Sequence, residues 1–308
     1  MNKAPQKRGF WYVIGPYFLY WGVEFVGSML AALILLLLSA PEMVEAVNWA
    51  DTMSSEEMMQ AVTQMQTTLL EQAAHYQVQM LALAALCTIP VMAFLFHRDR
   101  KREKVMQLPV NKKAPLSKYV WIVLLGLVVC IGGNGLVVLA ELAFGSNAYQ
   151  NASAVYYVPS FLVQILCLGI VVPLSEELIF RGILFKRSRE WMSFFPAAFS
   201  ISLLFGFHHG TMAQFLYALA LGMLLCYVYE KYGSLKAPVL LHITANLTSL
   251  VLTETGTLTW MCSAFFRMAA AIIFCAFLGA VAFVLIQKID EKPENSGLPD
   301  GPEGMQEL

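Results

Sequence analysis

The stretch Val171-Val172-Pro173-Leu174-Ser175-Glu176-Glu177-Leu178-Ile179-Phe180-Arg181-Gly182 decides how this chain is read. Its surroundings are apolar enough for a membrane helix, yet it places two adjacent glutamates and an arginine within six residues. An ionisable side chain in hydrocarbon costs roughly 3 kcal/mol on insertion scales. Three of them together need partners, water or a task. Working outward, two later apolar stretches also carry polar groups, Phe205-Gly206-Phe207-His208-His209 and His242-Ile243-Thr244-Ala245-Asn246. Glutamate, histidine and asparagine gathered below a membrane surface point to a chemical site rather than a plain anchor.

The bulk composition agrees with a membrane setting. Of 308 residues, 58% are hydrophobic and 13% charged, against about 25% charged in soluble domains. The mean hydropathy is +0.62. The expected fold is all-α, a polytopic bundle of about eight transmembrane helices. The apolar runs lie at about 12–39, 77–97, 119–144, 157–180, 194–210, 212–230, 236–253 and 267–288, each near the roughly 20 residues a span needs. The fourth is expected to continue as a helix past Arg181 toward Arg189. The first run is too long for a cleaved signal region, so a retained first helix is expected.

Charge placement orients the bundle. Lys3, Lys7 and Arg8 precede the first run, and the cluster from Arg98 to Lys104 follows the second, with Lys112, Lys113 and Lys118 beyond it. Lys186, Arg187 and Arg189, then Lys231 and Lys236, then Lys288 and Lys292 follow the fourth, sixth and eighth. All fall on one side if every segment spans and both termini are cytoplasmic; only Arg267 falls outside. The chain is expected to divide into a cytoplasmic N-terminus (1–9), N-terminal transmembrane helices (10–155), a core (156–289) and a disordered acidic tail (290–308). The segment 41–76 lacks Lys and Arg and spaces Met58, Val62, Met65, Leu69 and Leu70 as an amphipathic helix. It is expected over the outer face or as an extension of a neighbouring helix. Asn151-Ala152-Ser153 matches a glycosylation sequon on the expected outer side.

The six cysteines form no CxxC pair and read as small buried hydrophobes. The sequence contains no phosphate-binding loop motif and no basic aromatic patch, so nucleic acid is not an expected partner; membrane lipid is.

The polar groups have helical spacing. Glu177 and Arg181 are i and i+4, the spacing of an ion pair. Glu176 points about 100° away and is left for other work, such as that of a general base. Two consecutive histidines cannot face the same way on a helix, so one of His208 and His209 is expected in a site. His242 and Asn246 share a face and suit either oxyanion stabilisation or helix-to-helix hydrogen bonding.

Glu-Glu-x-x-x-Arg, Phe-x-x-x-His and His-x-x-x-Asn on separate membrane helices resemble the CAAX prenyl protease and bacteriocin-processing family of intramembrane endopeptidases, called CPBP or Abi. The resemblance covers roughly 155–255. It implies Glu176 as general base on an attacking water, His209 as a residue holding that water, and His242 with Asn246 as the oxyanion hole. Glu177 and Arg181 would be supporting members. His208 is extra to the pattern and stands as an alternative to His209. The chain has no His-Glu-x-x-His, which weakens a zincin reading. A metal-free glutamate mechanism is favoured; zinc held by Glu176, His209 and His242 is the alternative. The expected setting is a bacterial plasma membrane, and the substrate a prenylated or leader-bearing protein. Two other readings stay open: a non-catalytic scaffold or bacteriocin-immunity protein of the same fold, and a small-solute or proton-coupled transporter.

Overall fold

A computed structural model of the chain describes residues 9–48, 54–108, 110–145, 148, 151 and 154–290. The expected terminus 1–9 is thus described only at Gly9, and the expected tail only at Asp290; most of the sequon also lies outside the described residues. The first helix, α1 (Phe10–Asn48), runs nine residues past the expected end, through Pro41, so that the start of the 41–76 region continues it. A separate helix, α2 (Ser55–His75), follows, started by a capping box between Ser54 and Glu57. No residue of α2 is buried. Helix α3 (Gln77–Met106) returns, then α4 (Tyr119–Phe144).

The motif helix, α5, is one continuous run from Phe161 to Ser188. It is wound unevenly, with π-helical turns over Ile165–Val171 and Leu178–Phe185 on either side of an α-helical Val172–Glu177. Pro173 accounts for the first of these: it has no N–H to return to the preceding turn, and its ring pushes that turn open. Widened turns of this kind gather at functional sites.

Helices α6 (Phe194–Phe207) and α7 (Met212–Tyr232) form a tight hairpin, followed by α8 (Lys236–Glu254), the short α9 (Thr257–Cys262) and α10 (Phe265–Gln287). Among the described residues six helices, α1, α3, α4, α5, α7 and α10, are long and apolar enough to cross a membrane. The expected eight spans divide accordingly. Helix α6 has 14 residues, a rise of about 21 Å against roughly 30 Å of hydrocarbon. Helix α8 is diluted by the polar residues that make it interesting. The protein is a polytopic all-α bundle.

Helix α5 is its axis. Ile179, Phe180, Ile183, Leu184 and Phe185 are fully buried, packed against Tyr20 of α1, Met92 of α3, Phe205 of α6 and Leu225 of α7. Close approaches set the neighbours: a Cβ on Gly222 of α7 would meet Ser202 Cβ of α6 at 2.8 Å. Large apolar side chains of α1 and α10, such as Phe25, Leu37, Phe274 and Phe277, face outward, as lipid requires. At the basic end, Arg187 donates twice to Asp99 of α3 (2.7 and 3.1 Å) and once to the Tyr12 carbonyl of α1 (2.6 Å). Arg189 forks onto Glu230 of α7. Residues that read as orientation signals thus also tie four helices together. All six cysteines are free thiols.

Candidate active site

Glu177 and Arg181 form the expected pair, Arg181 Nη1 donating to Glu177 Oε1 at 2.8 Å with both side chains fully buried. The guanidinium lies 4.3 Å from the centre of the Phe205 ring and also reaches the Gly222 carbonyl at 3.4 Å. The same Glu177 oxygen takes a second donor, His242 Nδ1 of α8, at 2.9 Å. The carboxylate accepts, so Nδ1 carries the hydrogen. His242 is thereby fixed as a ring and its Nε2 is turned toward Glu176 Oε2, 3.7 Å away. This carboxylate–imidazole contact joins the first and third motifs, and no single-helix spacing could have revealed it.

Glu176 makes no hydrogen bond among the described residues although it is only 7% exposed. It opens onto a cavity of about 290 Å³. His209, His242 and Asn246 line the same cavity, and Glu177 and Arg181 stand behind its wall. The Asn246 amide donates to the Leu168 carbonyl at 2.9 Å, which lies in the first widened turn of α5. Asn246 therefore fastens α8 to α5 and still presents an edge to the cavity. Ser175, beside Glu176, hydrogen-bonds Thr88 of α3.

The two histidines depart from expectation. Both His208 and His209 line the cavity. The rule against two neighbours facing one way holds only inside a helix, and α6 ends at Phe207. His209 Nδ1 bonds the Phe205 carbonyl at 2.8 Å. His208 turns to α1, with Nε2 3.7 Å from Glu24 Oε1 and its ring edge-on to Tyr20 and Trp21. The helix stop was visible in the sequence, because Gly210 is followed by Thr211, whose hydroxyl accepts from Gln214 N–H to start α7.

Glu24 and Tyr20 of α1 also line the cavity. Sequence reasoning missed them by treating the first three helices as free of motifs. The signal was Glu24 itself, a lone acid within an apolar span.

The metal alternative names Glu176, His209 and His242. Among the described residues no three His, Cys, Asp or Glu side chains are arranged to hold a metal ion. Within the expected trio, Glu177 holds His242 Nδ1 and a backbone carbonyl holds His209 Nδ1, which leaves each Nε2 available, as in histidines that bind a metal through one nitrogen and a supporting acceptor through the other.

Residues 158–248 match the family model described as type II CAAX prenyl endopeptidase, Rce1-like. "Putative membrane peptidase YdiL" of Bacillus subtilis (strain 168) is 31% identical over 84 residues, 27% of this chain and 34% of the relative. The chain thus spans about a third of the length of the curated relative it matches. No solved structure matches the chain. The matched segment holds all three motifs and ends inside α8, leaving α1 to α4 outside it. Residues 158–248 of this polytopic membrane protein are thus similar to Rce1-like CAAX prenyl endopeptidases and to a membrane peptidase, which supports a membrane protease of the CPBP type.

Proposed function

We propose that the chain is an intramembrane endopeptidase that hydrolyses a peptide bond of a membrane-associated substrate with a water activated by Glu176. The observation that carries this reading is the meeting of Glu176, His209, His242 and Asn246 on one cavity, with His242 Nε2 at 3.7 Å from Glu176. Water beside Glu176 loses a proton to the carboxylate, and the hydroxide attacks the scissile carbonyl. His209, held by the Phe205 carbonyl, positions that water. The oxygen that becomes negative is met by the Asn246 amide and by protonated His242. The fixed carboxylate behind His242 stabilises its imidazolium, as the acid of a catalytic triad does. Glu176 then passes its proton to the leaving amine as the carbon–nitrogen bond breaks. Arg181 and Glu177 take no proton; they hold His242 in register.

The prenylated or leader-bearing character of the substrate belongs to this proposal and rests on the family's description. The scaffold, immunity and transporter readings leave unexplained why the buried Glu176 makes no hydrogen bond among the described residues. The test is turnover of a membrane-reconstituted substrate by purified Glu176→Gln and His209→Ala variants. Both are expected to lose cleavage while inserting and folding normally; ordinary turnover by Glu176→Gln refutes the proposal.

A further inference from the structure

The catalytic cavity has a second carboxylate that the reaction above does not use. Glu24 lies on α1, outside the matched segment, and is the one Asp, Glu, Lys or Arg between Phe10 and Pro41. It reaches the cavity that Glu176 opens onto. No lysine or arginine lines that cavity; Arg181, the buried cation closest to the motifs, is fully screened and paired with Glu177. The nearest cationic candidate to Glu24 is His208 Nε2, at 3.7 Å, beyond hydrogen-bond length. Both side chains keep a little under a fifth of their surface accessible, so Glu24 is presented to the cavity rather than sealed in. Opposite it, Glu176 is more than nine-tenths buried and lacks a hydrogen bond. The tyrosine rings of residues 20, 156, 157 and 217 also line the wall. A chamber whose described lining holds two carboxylates, several aromatic faces and no lysine or arginine suits a positive charge beside Glu24.

We infer that Glu24 forms a specificity subsite for a cationic side chain, lysine or arginine, close to the scissile bond of the peptide substrate. The inference rests on the proposed endopeptidase reading. Its physical content is differential binding: a charged hydrogen bond formed with the cationic peptide and missing with a neutral one. His208 completes the subsite by holding the carboxylate's approach from the side of α6, while Glu176 stays free for water.

The test uses short ketomethylene pseudopeptides, which resist cleavage, titrated against the full chain in lipid nanodiscs. Members of each pair differ only by lysine or norleucine at one position, scanned along the sequence around the uncleavable bond. At one position the lysine peptide is expected to bind at least about tenfold more tightly. Glu24→Gln should erase that preference and leave norleucine affinity unchanged, which also shows that the variant folds. Glu24→Lys should invert the preference toward a glutamate-bearing peptide. A lysine preference that survives Glu24→Gln, or no preference at any position, overturns the inference. Cleavable versions run in parallel with Glu176→Gln separate the two readings: normal cleavage by that variant sinks the endopeptidase assignment without altering the binding result.

Discussion

Replacing Arg181 by methionine tests the centre of the site's support. The guanidinium is fully buried, bonded to Glu177 at 2.8 Å, stacked 4.3 Å over Phe205 and near the Gly222 carbonyl. Methionine keeps much of the volume and removes the charge. Glu177, equally buried, is then left with His242 alone. Breaking one side of a buried ion pair costs roughly 3–5 kcal/mol, and the desolvated cation–π contact adds up to about 2 kcal/mol. Arg181→Met should therefore lose at least about 3 kcal/mol. Glu177→Gln strands the arginine instead and should be comparably damaging. The double variant buries no uncompensated charge. It should be less destabilised than the two single costs added together, by about 2–3 kcal/mol, within the range seen for contacting residues. The gain is incomplete because glutamine holds His242 less firmly than a carboxylate. Equilibrium unfolding in mixed micelles, followed by intrinsic fluorescence across the four proteins, measures the coupling. If the costs add to within about 0.5 kcal/mol, the pair does not support the site as described.

Asn246→Ala removes both the bond to the Leu168 carbonyl and a donor facing the cavity; we expect stability to fall by about 1 kcal/mol and kcat by about a hundredfold or more, read by unfolding and by steady-state turnover. Gly222→Ala forces a Cβ against Ser202, where 2.8 Å is available; α6 and α7 should separate at a cost of about 1–3 kcal/mol, seen as a lowered unfolding midpoint.

Local spacing carried much of the site. The i, i+4 relation of Glu177 and Arg181 became an ion pair, and the shared face of His242 and Asn246 brought both to the cavity. What spacing could not supply was any contact between helices. The hydrogen bond from His242 to Glu177 spans 65 positions, and nothing in either motif names the other as its partner. Helix ends were the second loss. Phe207 and the histidines after it are apolar or aromatic, so the run read as helical to 210, whereas α6 stops at Phe207 and the following turn brings both imidazoles to one side. Likewise the first apolar run ended at about 39, but α1 continues through Pro41 to Asn48. The bundle itself was legible because a hydrocarbon solvent leaves the backbone few alternatives; span number was harder, since α6 is too short and α8 too polar to resemble a lipid-facing helix.

Tandem glutamates with opposite duties have a consequence for tolerance to length changes. Glu176 faces an open chamber and Glu177 faces Arg181 and His242, and only the angular phase of α5 separates those fates. Deleting one residue in the turn before them would bring the supporting carboxylate to the chamber-facing position and carry the reactive one to the buried position of Ser175. The composition of the helix would be unchanged and its chemistry lost, so this short turn should be far more sensitive to deletions than to most side-chain replacements.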